Sequence, residues 1–398
     1  MKNTLADLPK IAKNPSDLHL ALRSARQQAP LALDHQGIVL ALHARHLDQV
    51  LSPSLTRQLE TEVMEMQGIT DGPIFDNNSA MLLWANGNVH VRRRRALTRT
   101  FAHKLMEGMR PRARAIAEQL VSERIGSGPI DFLDEVAAQI PARIIAEILG
   151  IPQSDLPYFR ALVDDVMLTV FTFDPAQRTY LEGRMLEFFD YANRLIAERR
   201  LSPRDDFLTR FADQSDQTDP LSDEELRSNL IGLILAGSDT TKNSIAVTVS
   251  LLLDRPDQWQ MLVQDPERWK RSAAMEGQRY EPVAIGVPRV AVTAFDLDGY
   301  TIEPGTTLMF SIVSASRDPD MFSDPDSFDI TRTDHPRWAM GFGGGAHRCI
   351  GEALAWVEIE ETLSALARLA PNTTRTGPAP AVGSLPTRMI DQLELMLG

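Results

Sequence analysis

FGGGAHRCIGEALA, residues 342–355, carries Cys349, the only cysteine in a chain of 398 residues. The cysteine stands among glycines, two residues after His347. A lone buried thiol in a turn is the bland account, because free cysteine is commonly buried. A dinucleotide site is a second account, since GFGGGA (341–346) matches G-x-G-x-x-A. That fingerprint needs an apolar strand before it and a βαβ unit after it. TRTDHPRWAM precedes it and only 52 residues follow, so the match is false. A nucleophilic Cys–His pair is a third, but His347 and Cys349 are too close in a strand-like loop to face one another. The fourth is axial ligation of a haem iron. A thiolate ligand is favoured by backbone N–H groups at a helix N-terminus. A helix from about Gly351 to Leu369 would supply them. Glycines would let the loop pass close to a flat macrocycle, Gly351 would let that helix approach it, and Phe342 would shield the sulfur.

Outward from this loop, the composition is that of a globular protein, with 43% hydrophobic and 24% charged residues. The net charge of −13 argues against wholesale nucleic-acid binding. One cysteine excludes an intrachain disulfide, a four-cysteine zinc site and an iron–sulfur cluster. The N-terminal MKNTLADLPKIAKNPSD has no apolar h-region, which predicts neither a signal peptide nor a membrane anchor, and a cytoplasmic address by default.

The spacing predicts a mainly helical chain with a minor β portion drawn from both ends. APLALD and GIVLAL read as a hairpin through His35-Gln36-Gly37. Residues 91–150 and 155–200 read as helical, the latter broken at TFDPAQ. A capping box of Ser222 and Glu225 opens the longest helix, which runs proline-free to Pro256. That is roughly 33 residues, or ~50 Å. It is apolar nearly all round, which predicts a central buried helix. Ser238, Asp239, Thr240, Thr241, Lys242 and Asn243 interrupt it, which argues against lipid. RVAVTA, FDLDGYTI (turning at Asp298-Gly299) and TTLMFSIVSA read as strands, and PNTTRTGPAPAVGSLP as a loop.

FGGGAHRCIGEALA matches, position by position, F-x-x-G-x-H-x-C-x-G-x-x-L-A, and at this point the chain resembles the cytochromes P-450. The resemblance spans nearly the whole chain. It implies the cytochrome P-450 fold: mainly α with a minor β lobe, a long central helix over the haem and the cysteine loop below. It implies haem b held by Cys349 within a loop built on Phe342, Gly345 and Gly351. AGSDTT (236–241) then carries the acid–alcohol pair Asp239 and Thr240, which delivers protons to iron-bound dioxygen. Buried polar residues in an apolar helix are costly unless paired or used, and serine and threonine compete for backbone carbonyls, which predicts a locally loosened helix. MEGQRYEP supplies Glu276 and Arg279 at E-x-x-R spacing, joined by Arg332, as structural support. HVRRRRALTR places His90 and Arg94 on one helix face, Thr98 a turn further, with Arg92, Arg95 and Arg99 beside them. A charge run is often only a solvated face. The resemblance assigns His90, Arg94, Arg289 and His347 to the haem propionates, and four donors suit two carboxylates. Departures are SASRDP in place of A-N-R-D-P, Gly277-Gln278 inside E-x-x-R, and WANGNVH before the arginine helix.

The function implied is insertion of one oxygen atom from dioxygen into a small organic substrate. The domain expected is a single unit over 1–398, with no fused reductase or ferredoxin. Electrons would come from NAD(P)H through a separate ferredoxin and ferredoxin reductase, with Arg92, Arg93 and Arg95 as docking candidates. A peroxide-driven peroxygenase and a non-catalytic haem sensor are the rivals, and Asp239-Thr240 argues against both. The matched pocket positions are Asn229, Leu233, Ala236, Val283, Ala284, Met389 and Ile390. They are apolar or small apart from Asn229, which offers one hydrogen bond. No Lys or Arg lies between Arg57 and Arg92, a stretch containing Glu62, Glu65, Asp71 and Asp76. A neutral, largely apolar substrate follows, since a carboxylate buried without a cation costs several kcal/mol. Met64, Met66 and Met81 suggest an adaptable wall.

Overall fold

The computed structural model describes residues 4–101, 103–170, 173–213, 218–378 and 388–398. Helices dominate and pack around one of them, Asp223–Leu253. Its start is the capping box expected: Ser222 accepts from the Glu225 N–H, and the Glu225 carboxylate accepts from the Ser222 N–H. Neighbours on several sides are the helices Gln139–Leu149, Arg178–Leu201, Pro266–Tyr280 and Glu352–Leu369. Such enclosure explains why its apolar residues are not confined to one stripe. Among the described residues no helix is long and apolar enough to cross a membrane.

Ten strands are assigned among the described residues: β1 Leu31–Leu33, β2 Val39–Ala41, β3 Thr56–Gln58, β4 Pro129–Asp131, β5 Gly286–Ala291, β6 Phe295–Leu297, β7 Tyr300–Ile302, β8 Thr307–Ser311, β9 Thr374–Arg375 and β10 Glu394–Met396. They form sheets in the orders β1-β2-β8-β5-β3, β4-β10-β9 and β6-β7. The β1–β2 and β6–β7 hairpins are those read from the sequence. Four short strands, β3, β4, β9 and β10, carry too little pattern to be seen in advance, and β9 falls within the C-terminal stretch read as a loop, where β10 completes its ladder. TTLMFSIVSA is a strand only to Ser311, whose hydroxyl accepts from Ser314 N–H and starts a short helix, Ile312–Ala315. RVAVTA is shifted: β5 begins at Gly286 and ends at Ala291. The helical stretch 91–150 is interrupted by β4, which pairs with β10. FDPAQ, the part of TFDPAQ among the described residues, does separate two helices, Leu156–Met167 and Arg178–Leu201. Of the C-terminal loop PNTTRTGPAPAVGSLP, residues 379–386 lie outside the described residues.

Candidate active site

The cysteine loop owes its path to glycine. Gly343 and Gly345 take φ of +67° and +60°, which other L-residues adopt only with strain. The loop closes on itself through Cys349 N–H donating to Phe342 O at 3.0 Å. Phe342 packs edge-on against Trp356, with ring centroids 4.9 Å apart, and so is anchored to the following helix Glu352–Leu369. Gly351 caps that helix, and its N–H donates to the Cys349 sulfur. Burial pushes the Cys349 thiol pKa up, against the pull of the Gly351 N–H and of Arg94 and Arg348. The depressed value expected from the helix end alone is therefore not present in the free thiol. A metal ion on the sulfur would remove the proton outright. Cys349 is nevertheless accessible.

The central helix has an open face in its middle. Ala236 and Thr240, one turn apart, are exposed, whereas Leu233, Ile234, Leu235 and Thr241 are buried. The helix is not broken there: it is continuous from Asp223 to Leu253. Instead its polar side chains bond back to carbonyls four residues earlier. Ser238 donates to Ile234 O at 2.8 Å, Thr240 to Ala236 O at 2.9 Å, and Ser244 to Thr240 O at 2.8 Å. The hydroxyls are satisfied within the helix rather than by unwinding it. Thr240 keeps its oxygen lone pairs for an incoming donor. Asp239 pairs with Lys242 and lines a different cavity, of about 20 Å³, with Ser238, Asp164 and Arg160. That volume admits about one water.

Four nitrogen-bearing side chains meet beside the cysteine loop. His90 and His347 pack together with ring centroids 4.0 Å apart and planes tilted by 40°. Arg94 donates to Arg348 O at 2.7 Å. Arg289 stands opposite Gln58 across the β3–β5 ladder and donates to Thr56 Oγ1, Thr56 O and Gln58 Oε1. Among the described residues no carboxylate pairs with Arg94 or Arg289. Burial lowers the pKa of Arg94, and burial followed by Arg57 brings Arg289 down to about 10. Burial, then His90, Arg289 and Arg94, pushes His347 down to about 3. His90 is lowered by burial, Arg94 and Arg289, and its Nε2 is buried without a partner. A cluster so short of negative charge suits a dianion.

The family model described as Cytochrome P450 matches residues 57–269 and 271–368. The chain belongs to the cytochrome P450 family. A plant-inducible cytochrome P450 of Rhizobium radiobacter is 35% identical over 378 residues, covering 94% of this chain and 88% of that protein. A vitamin D(3) 25-hydroxylase of Pseudonocardia autotrophica is 32% identical over 353 residues, covering 87% and 84%. Among solved structures, the cytochrome P450 enzyme CxnD, for C–S bond formation in chuangxinmycin biosynthesis, superposes with a TM-score of 0.85 at 29% identity, covering 98% and 97%. The chain is accordingly a haem-thiolate monooxygenase with the cytochrome P450 fold. Membership implies haem and dioxygen, and the donor set fits haem: an accessible thiol under a helix N-terminus beside an uncompensated cationic cluster.

Other positions divide. Glu276, 0% exposed, accepts from Arg279 Nε and Nη2 at 2.7 Å each and lies 3.4 Å from Arg332 Nε. His335, which no sequence motif pointed to, has its Nε2 3.4 Å from the same carboxylate. Asn229 is not a substrate donor in this P450. Its amide accepts from Leu82 N–H and donates to Ala80 O and Glu225 O, stapling the segment after Pro73–Ala80 to the central helix. Leu233, Val283 and Ile390 are buried, Ala284 and Met389 half-buried, and Ala236 open. Met64 is packed with Ile69, Ile74 and Leu181, and Met66 is 76% exposed, so neither forms an adaptable wall. Arg92 and Arg93 are turned inward to Glu225, which removes them from a docking face; Arg95 remains exposed. The Arg99 side chain lies outside the described residues.

Proposed function

We propose that this cytochrome P450 acts as a single-domain cytoplasmic monooxygenase on a neutral, largely apolar small molecule, with electrons from NAD(P)H through a separate ferredoxin and its reductase. The observation that carries this is the open turn Ala236–Thr240 together with the accessible Cys349 and the cationic cluster. Cys349 would hold the haem iron, within the loop shaped by Phe342, Gly345 and Gly351. His90, Arg94, Arg289 and His347 would hold the propionates. Bound haem supplies the activation of dioxygen. Thr240, its own proton donated to Ala236 O, accepts and positions a donor on the open face. Asp239, beside Lys242, exchanges protons with the small cavity on its side of the helix. Glu276, Arg279 and Arg332 brace the segment before the cysteine loop.

None of the pocket positions carries a charge, and apart from Asn229 all are apolar or small. The Pseudonocardia relative is named for a neutral, apolar substrate, which supports the same class here. Burying a carboxylate beside these positions would cost several kcal/mol. The test is spectral titration of the haem-loaded protein with matched alcohols, methyl esters and acids on several scaffolds. The alcohols and esters should bind at least about tenfold more tightly, ~1.4 kcal/mol. Tighter binding of the acids overturns the proposal.

A further inference from the structure

Met389 stands between two fixed points. On one side is Arg388, 7% exposed. Its backbone N–H donates to Val283 O at 2.8 Å, and its Nε donates to Glu281 Oε1. Glu281 lies just past the helix Pro266–Tyr280, is itself 8% exposed, and also bonds His19 Nε2 at 2.9 Å. On the other side is Ile390, whose N–H donates to Asn243 Oδ1 at 2.9 Å. Asn243, buried on the central helix, turns its Nδ2 onto Asp239 O at 3.0 Å. One continuous path therefore runs His19, Glu281, Arg388, Met389, Ile390, Asn243, Asp239. It ties the N-terminal helix Leu18–Gln28 and the residues after Tyr280 to the carbonyl of the turn that carries Thr240.

Both ends of the tie are strong by ordinary physical standards. Glu281 is a buried carboxylate whose pKa is held at about 2 although burial acts to raise it, because His19 and Arg388 bond and face it. Removing one member of a buried ion pair leaves the other uncompensated. Asn243 uses both halves of one amide to join two segments that are 147 residues apart in the chain. Neither group is among the residues that would hold the haem, so their placement calls for another account.

We propose that Glu281, Arg388 and Asn243 are positioning residues that set where Met389 stands relative to the open turn Ala236–Thr240, and thereby which neutral apolar molecules the pocket accepts. This rests on the assignment of Met389 to the pocket wall. A methionine adapts its shape readily, so its backbone placement decides the volume it sweeps. The tie fixes the backbone on both flanks of Met389.

The test uses the haem-loaded protein and two probes, imidazole and 4-phenylimidazole. Both present the same nitrogen to the iron, and only the phenyl group touches the pocket wall. In Glu281→Gln and Asn243→Ala, imidazole should bind as in the wild type, while the ratio of the two dissociation constants should change roughly tenfold. The double variant should change it by less than the product of the single effects, because both act through one segment. Should Glu281→Gln fail to retain haem, Asn243→Ala decides alone. A ratio within about twofold of wild type in variants with a normal thiolate-type carbon monoxide band overturns the tie and leaves the haem-thiolate assignment standing. A wild-type protein without that band overturns the assignment of Cys349 and the tie with it.

Discussion

At the scale of single residues, Thr240 shows how a side chain can be satisfied and still available. Its hydroxyl proton goes to Ala236 O, and its oxygen faces the open side of the helix. Thr240→Ala removes that acceptor without disturbing the backbone. NAD(P)H consumption should stay within about twofold, while the share of electrons appearing as product falls roughly tenfold and hydrogen peroxide rises. Product formed per NAD(P)H is the measurement, and an unchanged value shows the hydroxyl to be idle. Asn229 teaches the opposite lesson. From the sequence it was a polar side chain on a pocket-facing turn. In the fold, 1% exposed, its amide is taken up by backbone groups of residues 80, 82 and 225. Residue type and helix phase could not reveal partners nearly 150 positions away.

At the scale of elements, the helix Pro266–Tyr280 crosses the central helix at Gly277 and Thr248. A Cβ built on Gly277 would stand 2.2 Å from Thr248 Oγ1 and 2.9 Å from its Cβ, so the contact exists only because Gly277 has no side chain. This accounts for the glycine within E-x-x-R. Gly277→Ala should destabilise the protein by about 1–3 kcal/mol through overpacking. Thr248→Ala in the same chain should recover part of that loss. Thermal unfolding of the single and double variants checks both, and an additive pair would place the clash elsewhere. The same element holds Glu276 against Arg279 and Arg332, as the motif implied, while His335 joined only through a loop that brings it back from far along the chain.

At the scale of the whole molecule, buried titrating groups predict how stability depends on pH. His19, His46 and His335 all have lowered pKa values, burial outweighing the carboxylates that face them. Folded, they take up protons only at lower pH than they do unfolded, near pH 6.5. Stability from this source is therefore complete above about 6.5 and is lost as pH falls below it. Glu281, Asp318 and Glu361 are held at about 2, so theirs is present above about 4.5 and lost toward pH 2. The melting temperature should fall in two stages, below about 6.5 and again below about 4.5. A flat profile from pH 7 to 5 would contradict the first. Charge also bears on partners: with Arg92 and Arg93 paired internally, Arg95 is, among the described side chains of that run, the exposed arginine. Arg95→Glu should slow electron transfer from a ferredoxin at low salt by roughly tenfold, with the difference shrinking as salt screens charges beyond ~10 Å. Equal rates for the two proteins at all salt concentrations would remove Arg95 from the docking face.

The sequence by itself determined the cysteine loop, the capped central helix, the E-x-x-R brace and the hairpins, because each is written in consecutive or helically spaced residues. It also determined the family, through a long local motif. Tertiary structure alone decided which polar groups remain available. Arg92 and Arg93 differ from Arg95 only by which one meets Glu225, and Asn243 becomes a tie only because Ile390 arrives beside it. β3 and β10 likewise exist because partners from distant parts of the chain complete their ladders. Local spacing sets the direction in which a side chain leaves its element. What it meets there depends on chain segments whose approach is governed by the packing of the whole core.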